Sequence, residues 1–124
     1  MAATEWHRIG RVGAMVAFID RNSIINDGGT PLDKEGDLRK VHVLFSYDDV
    51  QHNFKRGKFF SESFVDEISC SKRTVTSLST VQYAGGKAAG AVVHRHKIGV
   101  RLPQPILPGT LNDHIMKAYV CGLR

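Results

Sequence analysis

The feature that most constrains the fold is a period-two alternation of apolar and polar residues in two separate stretches. The segment 39–47 places an apolar side chain at every second position, and only Leu44 breaks this pattern. The segment 73–83 is rich in β-branched residues and runs into a Gly-Gly pair, after which the segment 88–102 alternates again. Because side chains alternate between the faces of a strand, the first stretch predicts a strand and the others predict an antiparallel hairpin.

The second strand of this hairpin separates two kinds of side chain. Its alternation puts His94 and His96 on one face and the cations Arg95, Lys97 and Arg101 on the other. Since unpaired charges are costly to bury, the cationic stripe is predicted to point outward. The Gly85-Gly86-Lys87 sequence is interpreted as the hairpin turn, with a solvated lysine.

Two short helices are predicted after the 39–47 strand. Asp48 is a suitable N-cap for the first, which runs to Phe54 with Gly57 in the place of a C-cap glycine. The second covers 61–68, because three apolar residues from Phe60 onward repeat at a spacing of four.

The other segments predict one strand, two loops and an ambiguous C-terminus. The segment 9–19 predicts a strand bent at a glycine, and 26–37 predicts a surface loop rich in turn-forming residues. Three prolines make 103–109 a linker or an edge loop. The segment 110–124 fits either a helix, with Thr110 and Asp113 spaced as at a capped start, or a strand, and the strand is favoured.

Together these elements predict a mainly β, β-rich α+β fold. We expect a single domain over residues 1–124, built as a small antiparallel β-barrel or twisted sheet, with one or two short helices between strands two and three. This resembles an oligonucleotide-binding barrel in layout only, and layout does not imply function.

The cysteine content and the apolar runs predict an intracellular protein. Cys70 and Cys121 do not form a disulfide framework or a metal-binding pattern, so a reducing compartment, cytoplasmic or nuclear, is expected. No Asn-x-Ser/Thr site occurs in the sequence, in keeping with a protein that is not secreted. The longest apolar run, 14–19, is too short to cross a membrane.

The distribution of charge suggests an anionic partner. The net charge is +5 and the pI is near 9.5. The segment 69–124 holds eight Lys and Arg and one acid, a net charge of +7, whereas 1–68 has a net charge of −2. Such asymmetry favours nucleic acid or an anionic membrane surface as a partner, although a solubilising basic face would look the same.

The leading hypothesis is therefore a non-enzymatic protein that binds single-stranded RNA or DNA through a basic hairpin. The candidate binding residues are Lys72, Arg73, Tyr83, Lys87, Arg95, Lys97 and Arg101, with a second cluster at Lys55, Arg56 and Lys58. The alternative is a self-associating viral-type structural protein, such as a matrix, capsid or movement protein, that forms a homo-oligomer through exposed strands.

No catalytic motif or cofactor-binding motif occurs in the sequence, so no enzyme activity and no cofactor is expected. The pair His94 and His96 could point toward one metal ion, because residues two apart on a strand share a face. A third ligand would be needed, and no spacing identifies one. Histidines packed beside valines, with ordinary hydrogen-bond partners, are the favoured interpretation.

Overall fold

A computed structural model of the chain describes residues 4–26, 38–55, 57–99 and 101–122. Six strands form an antiparallel sheet in which each strand pairs with its neighbour in chain order. They are β1 (Trp6–Val12), β2 (Met15–Asn26), β3 (Leu38–Asn53), β4 (Gly57–Ser69), β5 (Thr74–Tyr83) and β6 (Val92–Lys97). A two-residue strand, β7 (Gln104–Pro105), pairs with the start of β5. The prediction of a mainly β twisted sheet is confirmed, and within the described ranges β1 and β6 do not pair to close a barrel.

The long β3–β4 hairpin replaces both helices predicted after the first strand. The strand predicted at 39–47 is correct and continues to the end of β3, while 61–68 lies within β4. Asp48 caps no helix: its backbone N–H donates to the carbonyl of Ala14 at 2.8 Å, and its carboxylate pairs with Arg11. The helix predictions were wrong because residues on β4 are buried on both faces of the sheet, which hides the alternation of a strand.

The predicted strand at 9–19 is a hairpin of two strands. The chain reverses after Val12 at Gly13, whose φ of +58° lies in the left-handed region that glycine adopts without strain. The returning strand β2 pairs with β3 over most of its length. Most of the loop predicted at 26–37 lies outside the described residues, and only Asn26 belongs to β2.

The C-terminal segment is helical, so the favoured strand was wrong and the helical alternative was correct. Helix α1 (Leu111–Ile115) continues into a π-helical turn (Met116–Val120). The Thr110 hydroxyl caps the helix by accepting from the backbone N–H of Asp113 at 3.3 Å. The proline-rich segment was predicted to be a linker or an edge loop, and its two-residue strand β7 lies off the main strand path, paired with the start of β5.

The core lies between α1 and one face of the sheet, here called the helix face. Side chains from β2, β3, β4 and β5 pack there against the helical segment and against Ile106. Buried members of this core are Ile19, Val41, Val43, Ile68, Val75, Ile106, Ile115, Met116 and Val120. Burying this apolar surface is the main force that holds the short helix on the sheet.

A disulfide joins Cys70, in the turn between β4 and β5, to Cys121, directly after the π-helical turn. Their Cα atoms are 5.8 Å apart, although 51 positions separate the two residues in the sequence. Disulfides persist in oxidising environments and are rare in the cytosol. The expectation of reduced cysteines was therefore wrong.

Candidate functional site

The face of the sheet opposite α1 carries a row of side chains that crosses all six strands. Directly paired residues of antiparallel strands point to the same face, so the strand register defines this row. From one edge of the sheet to the other, it consists of Arg8, Phe18, Leu44, Ser63, Val81 and Arg95. Its ends are exposed cations, and its centre is buried. We call this surface the basic face.

The loop between β5 and β6 covers part of the basic face. Ser61, which is fully buried, donates to the carbonyl of Gly85 at 2.6 Å and accepts from the N–H of Ala88 at 2.9 Å. The N–H of Lys87 donates to the hydroxyl of Ser46 at 3.1 Å. Pairing of β5 with β6 is confirmed, but the connection spans 84–91, so the strand begins at 92 and not at 88.

This loop places a third cation on the basic face. Lys87 is exposed, and its ammonium nitrogen lies 5.3 Å from the centre of the Phe18 ring. Lys87 and Ala88 have φ angles of +52° and +62°, a region that side chains other than glycine rarely adopt. Hydrogen bonds to Ser46 and Ser61 hold the loop in this conformation. The lysine is therefore positioned over the sheet and is not simply solvated.

Arg8, Lys87, Arg95 and Lys97 are exposed cations of the basic face that form no ion pair within the described part of the chain. Arg11, paired in register with Val16, is also exposed on this face, but its guanidinium forms an ion pair with Asp48. Lys97 lies in the neighbouring row of the basic face, which also contains Asp20. The Asp20 carboxylate accepts the backbone N–H of Asn22 at 3.1 Å. The outward direction predicted for Arg95 and Lys97 is correct.

The remaining candidate residues from the sequence do not all gather on this face. Arg73 lies in the β4–β5 turn and donates to Asp113 of the helix at 2.7 Å, so its charge is paired. Tyr83 is half-buried at the end of β5, level with Ser61 on the basic face. Lys72, Lys55, Lys58 and Arg101 are exposed at turns or strand ends, and Arg56 lies outside the described residues.

Sequence reasoning missed Arg8, which lies on β1 at the far edge of the sheet from β6. Nothing in the local sequence relates it to Arg95, because their placement on one row depends on the register of five strand pairings. The isolated arginine of an amphipathic edge strand was the only available signal.

An open recess borders the basic face where β1 begins. Its volume is about 430 Å³, and its lining residues are Glu5, Trp6, His7, Arg21 and Asn22. The Trp6 indole meets the His42 imidazole edge to face, with ring centres 4.8 Å apart. Burial lowers the pKa of His42, and nearby Asp20 only partly opposes this effect. His42 is therefore neutral at pH 7 and adds no charge to the basic face.

The helix face carries a separate polar network beyond the edge of the helix. The Tyr47 hydroxyl donates to Glu62 at 2.6 Å, Gln82 donates to the other Glu62 oxygen at 3.2 Å, and Asn53 donates to Gln82 at 2.6 Å. Burial, followed by the hydrogen bond and the charge of Glu62, raises the pKa of Tyr47. The phenol therefore stays protonated and acts as a donor at neutral pH.

The two candidate metal ligands also lie on the helix face, at its β6 edge. His94 pairs with Gln82 and His96 with Thr80, and the two imidazole rings stack with their centres 5.8 Å apart. Among residues 4–26, 38–55, 57–99 and 101–122, no three His, Cys, Asp or Glu side chains are grouped so that they could hold a metal ion. The pair thus has no third ligand within the described structure.

A family model described as surface-adhesin protein E matches residues 6–122. The chain belongs to the surface-adhesin protein E family. No match to a curated protein was found. The matched region includes the sheet, the loop at 84–91, the helical segment and both cysteines of the disulfide.

Solved structures of Haemophilus influenzae protein E share the fold. One has 14% sequence identity and a TM-score of 0.63, with 100% of this chain and 92% of that chain covered. A second crystal form has 17% identity and the same TM-score, with 96% and 92% covered. A structure from a non-typeable strain has 14% identity and a TM-score of 0.61, with 94% and 75% covered. At these identities the likeness establishes the fold alone.

Membership of the adhesin family corrects four predictions made from the sequence. The nucleic-acid-binding function and the viral structural alternative were both wrong, as was the choice of single-stranded nucleic acid as the partner. The intracellular location was also wrong, because the family consists of surface adhesins. No helix in the described segments is long and apolar enough to span a bilayer.

Proposed function

We propose that this chain is a non-enzymatic adhesin that binds a partner outside the cell through its basic face. The observation that carries the proposal is a set of four exposed cations on one face of the sheet that form no ion pair among the described residues, in a chain that belongs to a surface-adhesin family. Unpaired cations on a broad surface attract anionic partners and accelerate their encounter.

A binding role without catalysis is supported by the way in which the buried acids are used. Asp66 accepts from the Ser77 hydroxyl at 2.8 Å, and Asp113 accepts from Arg73 and from the N–H of Gly109. Each of these carboxylates holds neighbouring segments of the chain together. Neither faces the basic face, where the exposed cations lie.

The proposal is tested by measuring adhesion directly. Beads coated with the purified chain are expected to bind cultured epithelial cells or an extracellular-matrix layer more strongly than albumin-coated beads do. The double variant Arg95→Glu/Lys97→Glu should lose most of this adhesion, because two cations of the basic face become acids.

A matched control is Lys55→Glu/Lys72→Glu, which changes the net charge by the same amount at two exposed turns away from the basic face. This variant should adhere nearly as well as the unmodified chain. Equal losses in both variants would show that net charge matters and the face does not. Wild-type adhesion no greater than that of albumin would contradict the adhesin function itself.

The expectations of a single domain and of a homo-oligomer stay predictions. Light scattering on the purified chain measures the oligomeric state, and limited proteolysis with a disulfide-reduced sample tests whether the chain behaves as one folding unit.

A further inference from the structure

We infer that the ligand of the basic face is a sulfated polysaccharide, an inference that rests on the proposed function. The cationic ends of the row, Arg8 and Arg95, are separated by five strand intervals. With neighbouring strands about 4.8 Å apart, the row extends for roughly 24 Å across the sheet. Lys97 extends the positive surface along β6.

The Arg8 half of the row carries a second cation, because the 84–91 loop places Lys87 over the Phe18 ring. Phe18 is the direct neighbour of Arg8 in the row. The loop is held in a conformation with two positive φ angles by hydrogen bonds to two serines of the sheet. This built arrangement fixes the position of a cation that a free hairpin tip would leave mobile.

The spacing of these cations suits a polymer better than a small anion. Arg8 and Lys87 lie near one edge of the sheet and Arg95 lies at the other, so the three do not converge on one pocket. An extended chain with repeated negative charges can contact them in succession and release a counterion at each contact. Exposed cations that lack ion-pair partners within the described residues can make such contacts without breaking an existing pair.

The recess at the Arg8 edge favours a sugar polymer over an acidic peptide. Trp6 is level with Asp20 on the basic face and lines the recess together with Arg21 and Asn22. The C–H face of a sugar ring packs well on an indole, while an arginine and an amide bind sulfate and hydroxyl oxygens. Glu5 also lines the recess, so the most anionic groups of the ligand are expected along the row.

The first test measures the binding of a fluorescent heparin oligosaccharide at several salt concentrations. We expect binding that weakens steeply with salt, a loss of at least tenfold in affinity for Arg95→Glu/Lys97→Glu, and a change below threefold for Lys55→Glu/Lys72→Glu. Thermal unfolding of each variant checks that the fold is intact.

A second variant separates stacking from charge. Trp6→Ala should weaken heparin binding several-fold and leave the slope of log affinity against log salt unchanged, because no cation is removed. The charge-reversal variant should make that slope shallower. Identical slopes for the wild type and Arg95→Glu/Lys97→Glu would overturn the assignment of the row.

Further probes decide the chemistry of the ligand. Completely desulfated heparin, polyglutamate and vesicles of anionic phospholipid should each bind at least tenfold more weakly than heparin. Equal binding of any one of them would overturn the inference and favour a carboxylate polymer, an acidic peptide or a membrane surface respectively.

Cells treated with enzymes that remove sulfated polysaccharides distinguish the two proposals. Loss of bead adhesion after this treatment supports both. Adhesion that persists on treated cells, together with absent heparin binding, overturns the polysaccharide inference and leaves the adhesin function intact. Heparin binding without adhesion to any cell or matrix layer contradicts the adhesin function.

Discussion

The Arg73 guanidinium donates to the Asp113 carboxylate at 2.7 Å, across 40 positions of sequence. This bond ties the β4–β5 turn to the first turn of α1, close to the disulfide that joins the same two regions. The other Asp113 oxygen accepts the N–H of Gly109 at 3.0 Å and lies 3.2 Å from the Lys117 ammonium. Asp113 is thus the polar anchor of the helical segment.

These contacts make stability depend on Asp113 in acid. The N–H of Gly109, followed by Arg73, lowers the pKa of Asp113 to about 2. Because the folded pKa is below the unfolded value, the stabilising contribution is complete above pH 4 and is lost as the pH falls toward 2. Asp113→Asn should lower the Tm at pH 7, and its Tm should fall less than that of the wild type as the pH is lowered toward 2. Thermal unfolding followed by circular dichroism measures both effects. An exposed control, Asp49→Asn, should leave both unchanged.

Asp66 should have the opposite effect on stability. Burial raises its pKa to about 6, and the hydrogen bond from Ser77 only partly opposes this shift. The folded state therefore holds the proton more tightly than the unfolded chain, so stability should rise as the pH falls from 7 to about 4, by about 3 kcal/mol at most. Asp66→Asn should be more stable than wild type at pH 7.5 and lose this rise. The free energy of unfolding of each protein is measured by urea titration at several pH values. The same dependence on pH in both proteins would contradict the prediction.

The disulfide should contribute strongly to stability. Cys70 and Cys121 close a loop of 51 residues, for which the chain-entropy model gives about 4 kcal/mol. The variant Cys70→Ser/Cys121→Ser should unfold at a lower urea concentration by an amount that corresponds to this free energy. Wild type measured with a reductant is the control and should match the variant. An unchanged urea midpoint in both samples would mean that the disulfide contributes little to the free energy of unfolding.

Packing of α1 on the sheet predicts a large cost for truncating its most buried side chain, that of Ile115. Ile115 is 1% exposed and lies in the core with residues from four strands. Ile115→Ala should lower the free energy of unfolding by about 2–5 kcal/mol. Leu107→Ala, at a side chain that is 60% exposed, should change it by less than about 0.5 kcal/mol. Similar small effects of both changes would place the helix outside the cooperative core.

Ser61 links stability to the basic face through the 84–91 loop. Ser61→Ala removes the partner of the Ala88 N–H and of the Gly85 carbonyl, so we expect a loss of about 1–3 kcal/mol. Freed from the sheet, Lys87 should also contribute less to heparin binding. Ser79→Ala, on the same face, is the control for both measurements. Hydrogen exchange at residues 84–91 should accelerate only in the Ser61 variant.

The parts of the fold that sequence reasoning found are those with a local signal. The alternation at 39–47 and the pairing of β5 with β6 follow from the period of the side chains and from the glycine pair. The strand β4 was not predicted because two serines, Ser61 and Ser63, are buried on the basic face, so polar residues occupy interior positions. The spacing of Phe60, Phe64 and Ile68 then imitated a helix.

Long-range features could not be read from the sequence. The helix at α1 is too short to form without the core beneath it, which tertiary packing supplies. Two cysteines 51 positions apart give no indication of pairing until the β4–β5 turn and the C-terminus are brought together. For the candidate site, Arg95 and Lys97 were found from local alternation, whereas Arg8 required the register of the entire sheet.

The crosslink between the β4–β5 turn and the C-terminal segment also bears on how the protein survives proteases. Residues 101–105 are all exposed, and this stretch lies between Cys70 and Cys121. A peptide bond cut there leaves two fragments that the disulfide still holds together. A nicked molecule would run as one band on a non-reducing gel and as two after reduction, and it would keep the basic face on the larger piece. A single cut in this stretch would therefore not release the helical segment from the sheet that carries the basic face.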